Sequence, residues 1–363
     1  MRHIACSASR AGHEVIAADC YCDLDLAECA KCAIQLSCGE GGDLPRSPES
    51  IREYAEDNSV DAVLLGPGLE EMRLGGIWVL NNSPEKISKV SDKLWLAGWL
   101  DRKGYPSIPT EKLEDAEALK APLRIVKPRK GAGGVGTFLL TGDCELGDLQ
   151  GDLIIQEWVS GIPASISLIG NSDCAAAIAL NEQMMGIPWL GSRGFRYCGN
   201  ITPLSLTKVD RSSEILSKDI LRLGEEIVSD LGLVGSNGID FILTREGPVV
   251  VEVNPRFQGS LDSVELSTGK NIFQAHLDSF YGRLPERPAP KKVAGRAILF
   301  AEEQIKITDD FRSITSWVAD VPPPGSIIRK DSPVTSILAT GKERTEVLEL
   351  IRRRSSMLRR SCY

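Results

Sequence analysis

Gly238-Ile-Asp-Phe-Ile-Leu-Thr-Arg-Glu-Gly-Pro-Val-Val-Val-Glu-Val-Asn-Pro-Arg256 is the stretch on which the reading of this chain turns. Its two apolar runs, 238–244 and 248–254, flank Arg245-Glu246-Gly247, a short glycine-containing turn, and together they read as a β-hairpin. Pairing centred near residue 246 sets Asp240 opposite Glu252. Period-two alternation then puts Val250, Glu252 and Asn254 on one face and Val249, Val251 and Val253 on the other. Two carboxylates about 5 Å apart across strands repel unless a cation lies between them. Donors that are all oxygen suit Mg2+, which commonly takes one or two carboxylates together with the phosphates of a nucleotide. Arg256, two residues along the same face, is placed to neutralise a transferring phosphoryl group. The bland alternative is a hairpin with a solvated polar face, and the valine-rich strand argues against it.

Upstream lies Lys127-Pro-Arg-Lys-Gly-Ala-Gly-Gly-Val-Gly136. Its glycines Gly131, Gly133 and Gly136 satisfy the spacing of a dinucleotide-binding turn, but that turn must lead into a helix. Here Thr137–Leu140 reads as a strand, so the loop joins two strands. It lacks the Gly-Lys-Ser/Thr of a phosphate-binding P-loop as well. A glycine hairpin, Gly134 included, can instead lie over phosphates and offer backbone N–H groups, with Lys127 reaching them as a point charge. A plain mobile turn is the alternative. Ile154-Ile-Gln-Glu-Trp-Val159 is a further strand running into a loop, able to present backbone groups to a flat heterocycle but by itself no different from a core strand.

Around these segments the pattern is α/β. Residues 4–11 read as helix, 14–19 as strand, 60–65 and 77–80 as strands, 84–100 as one helix, and 213–231 as the clearest helix of the chain. An α/β unit ordinarily opens with a strand, and none precedes the helix at 4–11. The expectation is that the chain starts about ten residues late, roughly one strand and its loop. With 363 residues, 42% hydrophobic, 25% charged and a net charge of −8, the chain has room for two or three domains and is ill suited to polyanions or anionic membranes. No apolar run approaches the length of a membrane span, and a cytoplasmic protein is expected. Six of ten cysteines (Cys6, Cys20, Cys22, Cys29, Cys32, Cys38) fall early; without a secretory signal, and with Cys29 and Cys32 in a helical stretch, neither zinc nor disulfides are expected. The three histidines (His3, His13, His276) support neither a catalytic triad nor a histidine-rich metal site. The arginines at 352, 353, 354, 359 and 360 read as a solvated helix end.

Taken in order, Ser91-Asp-Lys93, Lys127 with its glycine hairpin, Gln156-Glu-Trp-Val159, Asp240 and Glu252-Val-Asn-Pro-Arg256 resemble the ATP-grasp superfamily over roughly residues 60 to 345. Gly295–Phe300, Asp320-Val-Pro-Pro-Pro-Gly325 and Thr340-Gly341 look like the small β-rich closing domain of biotin carboxylase and related carboligases. With Phe195–Asn200 and Asn254–Gly259, they are similar to the archaeal-type predicted ATP-dependent carboligases. The resemblance implies an α/β (α+β ATP-grasp) fold. Its parts are a Rossmann-like pre-ATP-grasp domain at 1–88, a two-lobed ATP-grasp domain at 89–284 with its small lobe near 108–160, a β-rich closing domain at 291–345, and a basic tail at 346–363. It implies that Lys93 and Lys127 hold ATP phosphates beneath Gly131, Gly133 and Gly134, and that Gln156, Glu157, Trp158 and Val159 form the adenine hinge. Asp240, Glu252 and Asn254 hold Mg2+ (two ions, with Mn2+ as a substitute), while Arg256 stabilises an acyl phosphate. The catalytic set is thus Arg256, Lys127 and Asn254, and the candidate substrate contacts are Arg196, Gln258 and Ser260. The acidic residue that relatives use for the ATP ribose falls near Pro163. The implied activity joins a carboxylate to an amine or other nucleophile through an acyl phosphate. A bicarbonate-activating carboligase and a non-catalytic ATP-binding relative stay open. The partners implied are small-molecule substrates, with neither nucleic acid nor membrane, and a homodimer is the assembly to look for.

Overall fold

The computed structural model describes residues 1–37, 43–140, 149–206, 213–314 and 316–362. The amino-terminal part comprises α1 (Arg2–Arg10), β1 (Ile16–Asp19), α2 (Leu24–Cys29), β2 (Cys32–Gln35) and α3 (Pro48–Asp57). β1 and β2 pair in parallel. The strands expected at 60–65 and 77–80 are corrected to one parallel bridge, Val63 to Val79. The reason is local: the Asn81 side chain takes the Leu65 N–H at 2.8 Å and donates to the Leu65 carbonyl at 3.0 Å, replacing the next rung of a ladder.

The helix expected over 84–100 is two helices, α4 (Pro84–Val90) and α5 (Lys93–Lys103). Ser83 caps the first, and Asp92 caps the second by accepting from the N–H groups of Leu94 and Trp95, so a carboxylate inside the apolar pattern starts a new helix. A four-stranded sheet follows, built from β3 (Thr110–Lys112), β4 (Arg124–Pro128), β5 (Phe138–Leu140) and β6 (Leu153–Glu157) in the order β3-β6-β4-β5.

The larger body consists of β7 (Ile162–Asn171), β8 (Ala175–Met185), β9 (Tyr197–Thr202), α6 (Ser213–Asp230), β10 (Val234–Leu243), β11 (Pro248–Asn254), α7 (Leu261–Thr268) and α8 (Ile272–Ser279). It continues with β12 (Val293–Phe300), β13 (Ile305–Lys306), α9 (Phe311–Ile314), β14 (Val318–Ala319), β15 (Ile327–Ile328), β16 (Pro333–Gly341) and α10 (Arg344–Cys362). Eight of these strands form one sheet in the order β11-β10-β7-β8-β9-β12-β16-β14. On one face Ile166, Leu168, Ile239 and Phe241 bury against α5 and α6, which contribute Leu96, Leu100, Ile220 and Ile227. On the other, Ile169 and Ile178 meet Ile4, Leu261, Val264 and Phe273 of α1, α7 and α8. β7 to β9 are absent from the sequence reading. Serines at 165 and 167 and the alanines at 175–177 carry little strand preference of their own, and burial between neighbouring strands decides their conformation.

The cysteine expectation is corrected too. Cys29 ends α2 and Cys32 opens β2, so they share no helix. Cys6 on α1 lies with its Cα 4.9 Å from that of Cys29, and the two are joined in a disulfide; Cys20 is also disulfide-bonded. The meeting of two short helices, α1 and α2, which spacing alone does not reveal, supplies the geometry. Cys38 lies outside the described residues. Among the described residues no helix is long and apolar enough to cross a membrane.

Candidate active site

The two sheets meet at a cleft. β6 ends at Glu157 and β7 begins at Ile162, so the Trp158–Gly161 segment is the covalent joint between them. In the four-stranded sheet Val126 and Ile155 face a small core with Ala116 and Leu119. Alternation turns Lys127 and Gln156 to the opposite side, where both are buried.

β10 and β11 pair with Asp240 opposite Glu252 and Gly238 opposite Asn254. The register slips between Asp240 and Phe241, which pairs with Val250, leaving Val251 as an extra residue. This corrects the face expected for Val250: it joins Val253 in the core against α6, while Glu252 and Asn254 stay on the cleft side. The bulge lets one strand bury its valines without turning its carboxylate inward.

At this point charged groups converge from three segments. The Lys93 ammonium lies 3.3 Å from Glu252 Oε2 and donates to the Gly131 carbonyl at 2.8 Å. Asn254 Nδ2 donates weakly to Glu252 Oε1 at 3.3 Å and to Asp240 Oδ2 at 3.4 Å. Burial lowers Lys127 to about 8, only partly opposed by Glu252 and Asp240. Burial and the adjoining Glu252 hold the Asp240 carboxyl well above its ordinary range. Burial would raise Glu252 as well, but Lys93 and Lys127 outweigh it and hold that carboxyl low. So the two carboxylates cannot both carry charge comfortably. A divalent cation between them would relieve this, and the donors Asp240, Glu252 and Asn254 are the oxygen set that Mg2+ takes. Among the described residues no three His, Cys, Asp or Glu side chains gather to hold an ion, so Asn254, its amide turned over from the orientation seen here, and phosphate oxygens would have to complete the coordination.

Arg256 reaches Asn254 Oδ1 at 3.3 Å and pairs through Nε with Glu70 Oε1 at 3.2 Å. Glu70 escaped the sequence reading; its only signal was a carboxylate in the loop after Gly66-Pro67-Gly68. Gln183, which bonds Asp240 from β8, gave none. Gln258 covers Gly238 so closely that an added Cβ there would come within 2.5 Å of its side chain. Ser260, by contrast, is buried against Ser167 at 3.2 Å, within the polar network under α7. Arg196 stacks over the Phe300 ring, 5.1 Å from its centroid, and donates to the Asp331 carbonyl; no contact joins it to the Asp240 and Glu252 pair among the described residues.

The glycine loop joins antiparallel β4 and β5 and folds down onto the turn before β9. Tyr197 N–H donates to the Gly133 carbonyl at 3.0 Å. Gly134, at φ +71°, sits where a Cβ would be 1.9 Å from the Phe195 carbonyl oxygen, so this contact requires glycine. Trp158 meets the Phe195 ring edge-on at 5.6 Å, closing the hinge side. Gln156 donates to Thr110, yet its buried Oε1 has no hydrogen-bond partner among the described residues.

Comparison with known proteins agrees with this architecture. Residues 90–260 match a family model described as an ATP-grasp domain. An uncharacterised protein of Methanocaldococcus jannaschii is 28% identical over 78% of this chain and 70% of its own length. A formate-dependent phosphoribosylglycinamide formyltransferase of Prochlorococcus marinus is 25% identical over 84% of this chain and 79% of its own. In structure, the chain superposes on the biotin carboxylase of Campylobacter jejuni with a TM-score of 0.77 at 17% identity, over 96% of this chain and 86% of that one.

Proposed function

From the ATP-grasp domain that this chain carries, we propose that it is an Mg·ATP-dependent ligase that activates a carboxylate as an acyl phosphate and transfers the acyl group to an amine. The observation carrying this reading is the convergence of Lys93, Lys127 and Glu252 from three segments, with Asp240 facing Glu252 across the hairpin. The likeness to a formate-dependent formyltransferase supports a carboxylate as first substrate and an amine as acceptor.

A carboxylate is a poor electrophile at neutral pH. Its oxygen must attack the γ-phosphorus of ATP in line while the β–γ bond breaks and ADP leaves. Lys93 and Lys127 would neutralise the phosphate oxygens, and Arg256 the phosphoryl group in flight. An Mg2+ held by Asp240, Glu252 and Asn254 would supply further charge neutralisation. The amine nitrogen then attacks the acyl carbon, phosphate departs with the former carboxylate oxygen, and the proton lost by the nitrogen leaves with the phosphate. The glycine loop, lying on Phe195 and Tyr197, would keep water from the acyl phosphate. The orphaned Gln156 Oε1 is an acceptor suited to an exocyclic amine such as that of adenine. A cytoplasmic location fits such chemistry.

The test joins a substrate screen to a substitution. ATP consumption by the wild type is measured against amino acids, short carboxylic acids and bicarbonate, and Glu252→Gln is measured on the best of them. Losing charge stabilisation of the transition state should lower its turnover by at least about 100-fold. Near-normal turnover in Glu252→Gln would sink the assignment, and stimulation by bicarbonate alone would replace the acyl substrate with carboxyphosphate chemistry.

A further inference from the structure

We propose that Asp92 is a positioning residue: through a forked pair with Arg129 it fixes the spacing of Lys93 and Lys127 across the cleft, an inference that rests on the ATP-ligase reading above. Its carboxylate accepts four N–H groups. Leu94 and Trp95 N–H reach Oδ1 at 3.1 and 3.2 Å, capping the helix whose first residue is Lys93. Arg129 donates from Nε to the same oxygen at 2.8 Å and from Nη2 to Oδ2 at 2.5 Å. Arg129 is separated from Lys127 only by Pro128, at the place where β4 gives way to the glycine loop.

These bonds cross from one lobe to the other. α5 belongs to the large body, where Leu96 and Leu100 are core residues, whereas β4 belongs to the four-stranded sheet. Two further bonds run parallel to the fork: Lys93 N–H to the Arg129 carbonyl at 3.2 Å, and the Lys93 ammonium to the Gly131 carbonyl at 2.8 Å. Lys130 adds a third tie, to Ser88 at 2.8 Å and Glu71 at 3.3 Å. A helix cap needs one acceptor oxygen, which serine or asparagine supplies as well. The second oxygen of Asp92 serves only Arg129. Arg129 is about one-third exposed, so the pair adds little to stability. What the fork does supply is direction, since two parallel N–H···O bonds fix the angle as well as the distance between their carriers. Lysines set by such a fork meet the phosphates without searching.

The experiment is a double-mutant cycle on nucleotide affinity, with calorimetry of Mg·AMP-PNP binding to wild type, Asp92→Asn, Arg129→Ala and the double variant. Asparagine keeps the cap and removes the charge. Each single variant should bind about tenfold more weakly, and the double variant no more weakly than either single, with melting temperatures near that of wild type. An ion pair serving stability alone would couple the two residues in melting temperature and leave affinity unmoved. Wild-type affinity in both single variants, or losses that multiply in the double variant, overturns the proposal. If Arg129→Ala does not fold, Arg129→Lys, which keeps the charge and loses the fork, decides it by the same criteria. A wild-type chain that does not bind Mg·AMP-PNP would overturn the ligase reading itself.

Discussion

Two clusters of buried charge among the described residues are built differently. In one, Arg2 grips both oxygens of Asp262 at 2.9 and 2.6 Å and reaches Asp320 through Nε at 3.1 Å, while Arg296 donates to Asp320 at 2.8 Å. Asp25 accepts the N–H groups of Asp320 and Val321 at 2.9 Å each. Burial would raise the Asp262 and Asp320 carboxyls, but the two arginines overcome it and hold both low. In the other cluster, Asp240 and Glu252 face each other with an amide and a lysine at 3.3–3.4 Å, and one carboxyl is pushed up while its neighbour is held down. The first sets its carboxylates against two arginines and staples α1 to α7 and the large sheet. In the second, Lys93 and Lys127 face Glu252, and Asp240 is left against another carboxylate with no arginine forked to it among the described residues. Two carboxylates set face to face, rather than each gripped by an arginine, are what a bound cation would complete.

Opposite responses to substitution would sharpen that contrast. Removing Asp262 leaves Arg2 and Arg296 buried with one of their two shared partners gone, so Asp262→Ala should cost about 3 kcal/mol, read by urea unfolding. A loss below about 1 kcal/mol would place this cluster with the loosely tied one. In the clamp, Glu252→Gln relieves repulsion with Asp240 but strips Lys93 of its ion-pair partner. Its stability should stay within about 1 kcal/mol of wild type even as turnover collapses. A large loss of stability there would erase the distinction.

The smallest effect concerns buried polarity without charge. His276 accepts from Ser236 N–H at Nδ1 and lies 3.1 Å from the Leu80 carbonyl at Nε2, and burial lowers it to about 3. Its native value lies below the unfolded one, so the unfolded chain binds more protons at pH values between the two. His276 should therefore withdraw on the order of 1 kcal/mol of stability between pH 7 and pH 5.5; His3, likewise lowered to about 3 by burial, adds a similar loss, and Asp23, raised to about 7 by burial, opposes them. Against the wild type, His276→Gln should remove its own share of this loss, and an unchanged profile in that variant would assign it to other groups.

What was legible in the sequence follows the same division. The facing of Asp240 and Glu252 could be counted from the turn, because a tight hairpin fixes register. The bulge at Val251 could not, since it is settled by how Val250 and Val253 bury against α6, and no local residue announces it. Lys93 and Lys127 could be named but not joined: their meeting depends on two sheets folding toward each other about the Trp158–Gly161 joint. β7 and β8 were illegible because alanine and serine take the conformation that their neighbours impose. The forked pair of Asp92 and Arg129 links residues 37 apart with no periodicity between them, and the Cys6–Cys29 disulfide likewise reflects how two helices meet.

The oxygen clamp is the central claim, and calorimetry of AMP-PNP binding with Mg2+ and with EDTA, in wild type and in Asp240→Asn, tests it most directly. Asparagine keeps the shape and hydrogen bonds of the position while removing the charge that a cation needs. Wild type should bind the nucleotide at least about tenfold more tightly when Mg2+ is present, and Asp240→Asn should lose most of that gain while keeping its metal-free affinity. Equal enhancement by Mg2+ in the two proteins would contradict the assignment of Asp240 and Glu252 as the cation's seat.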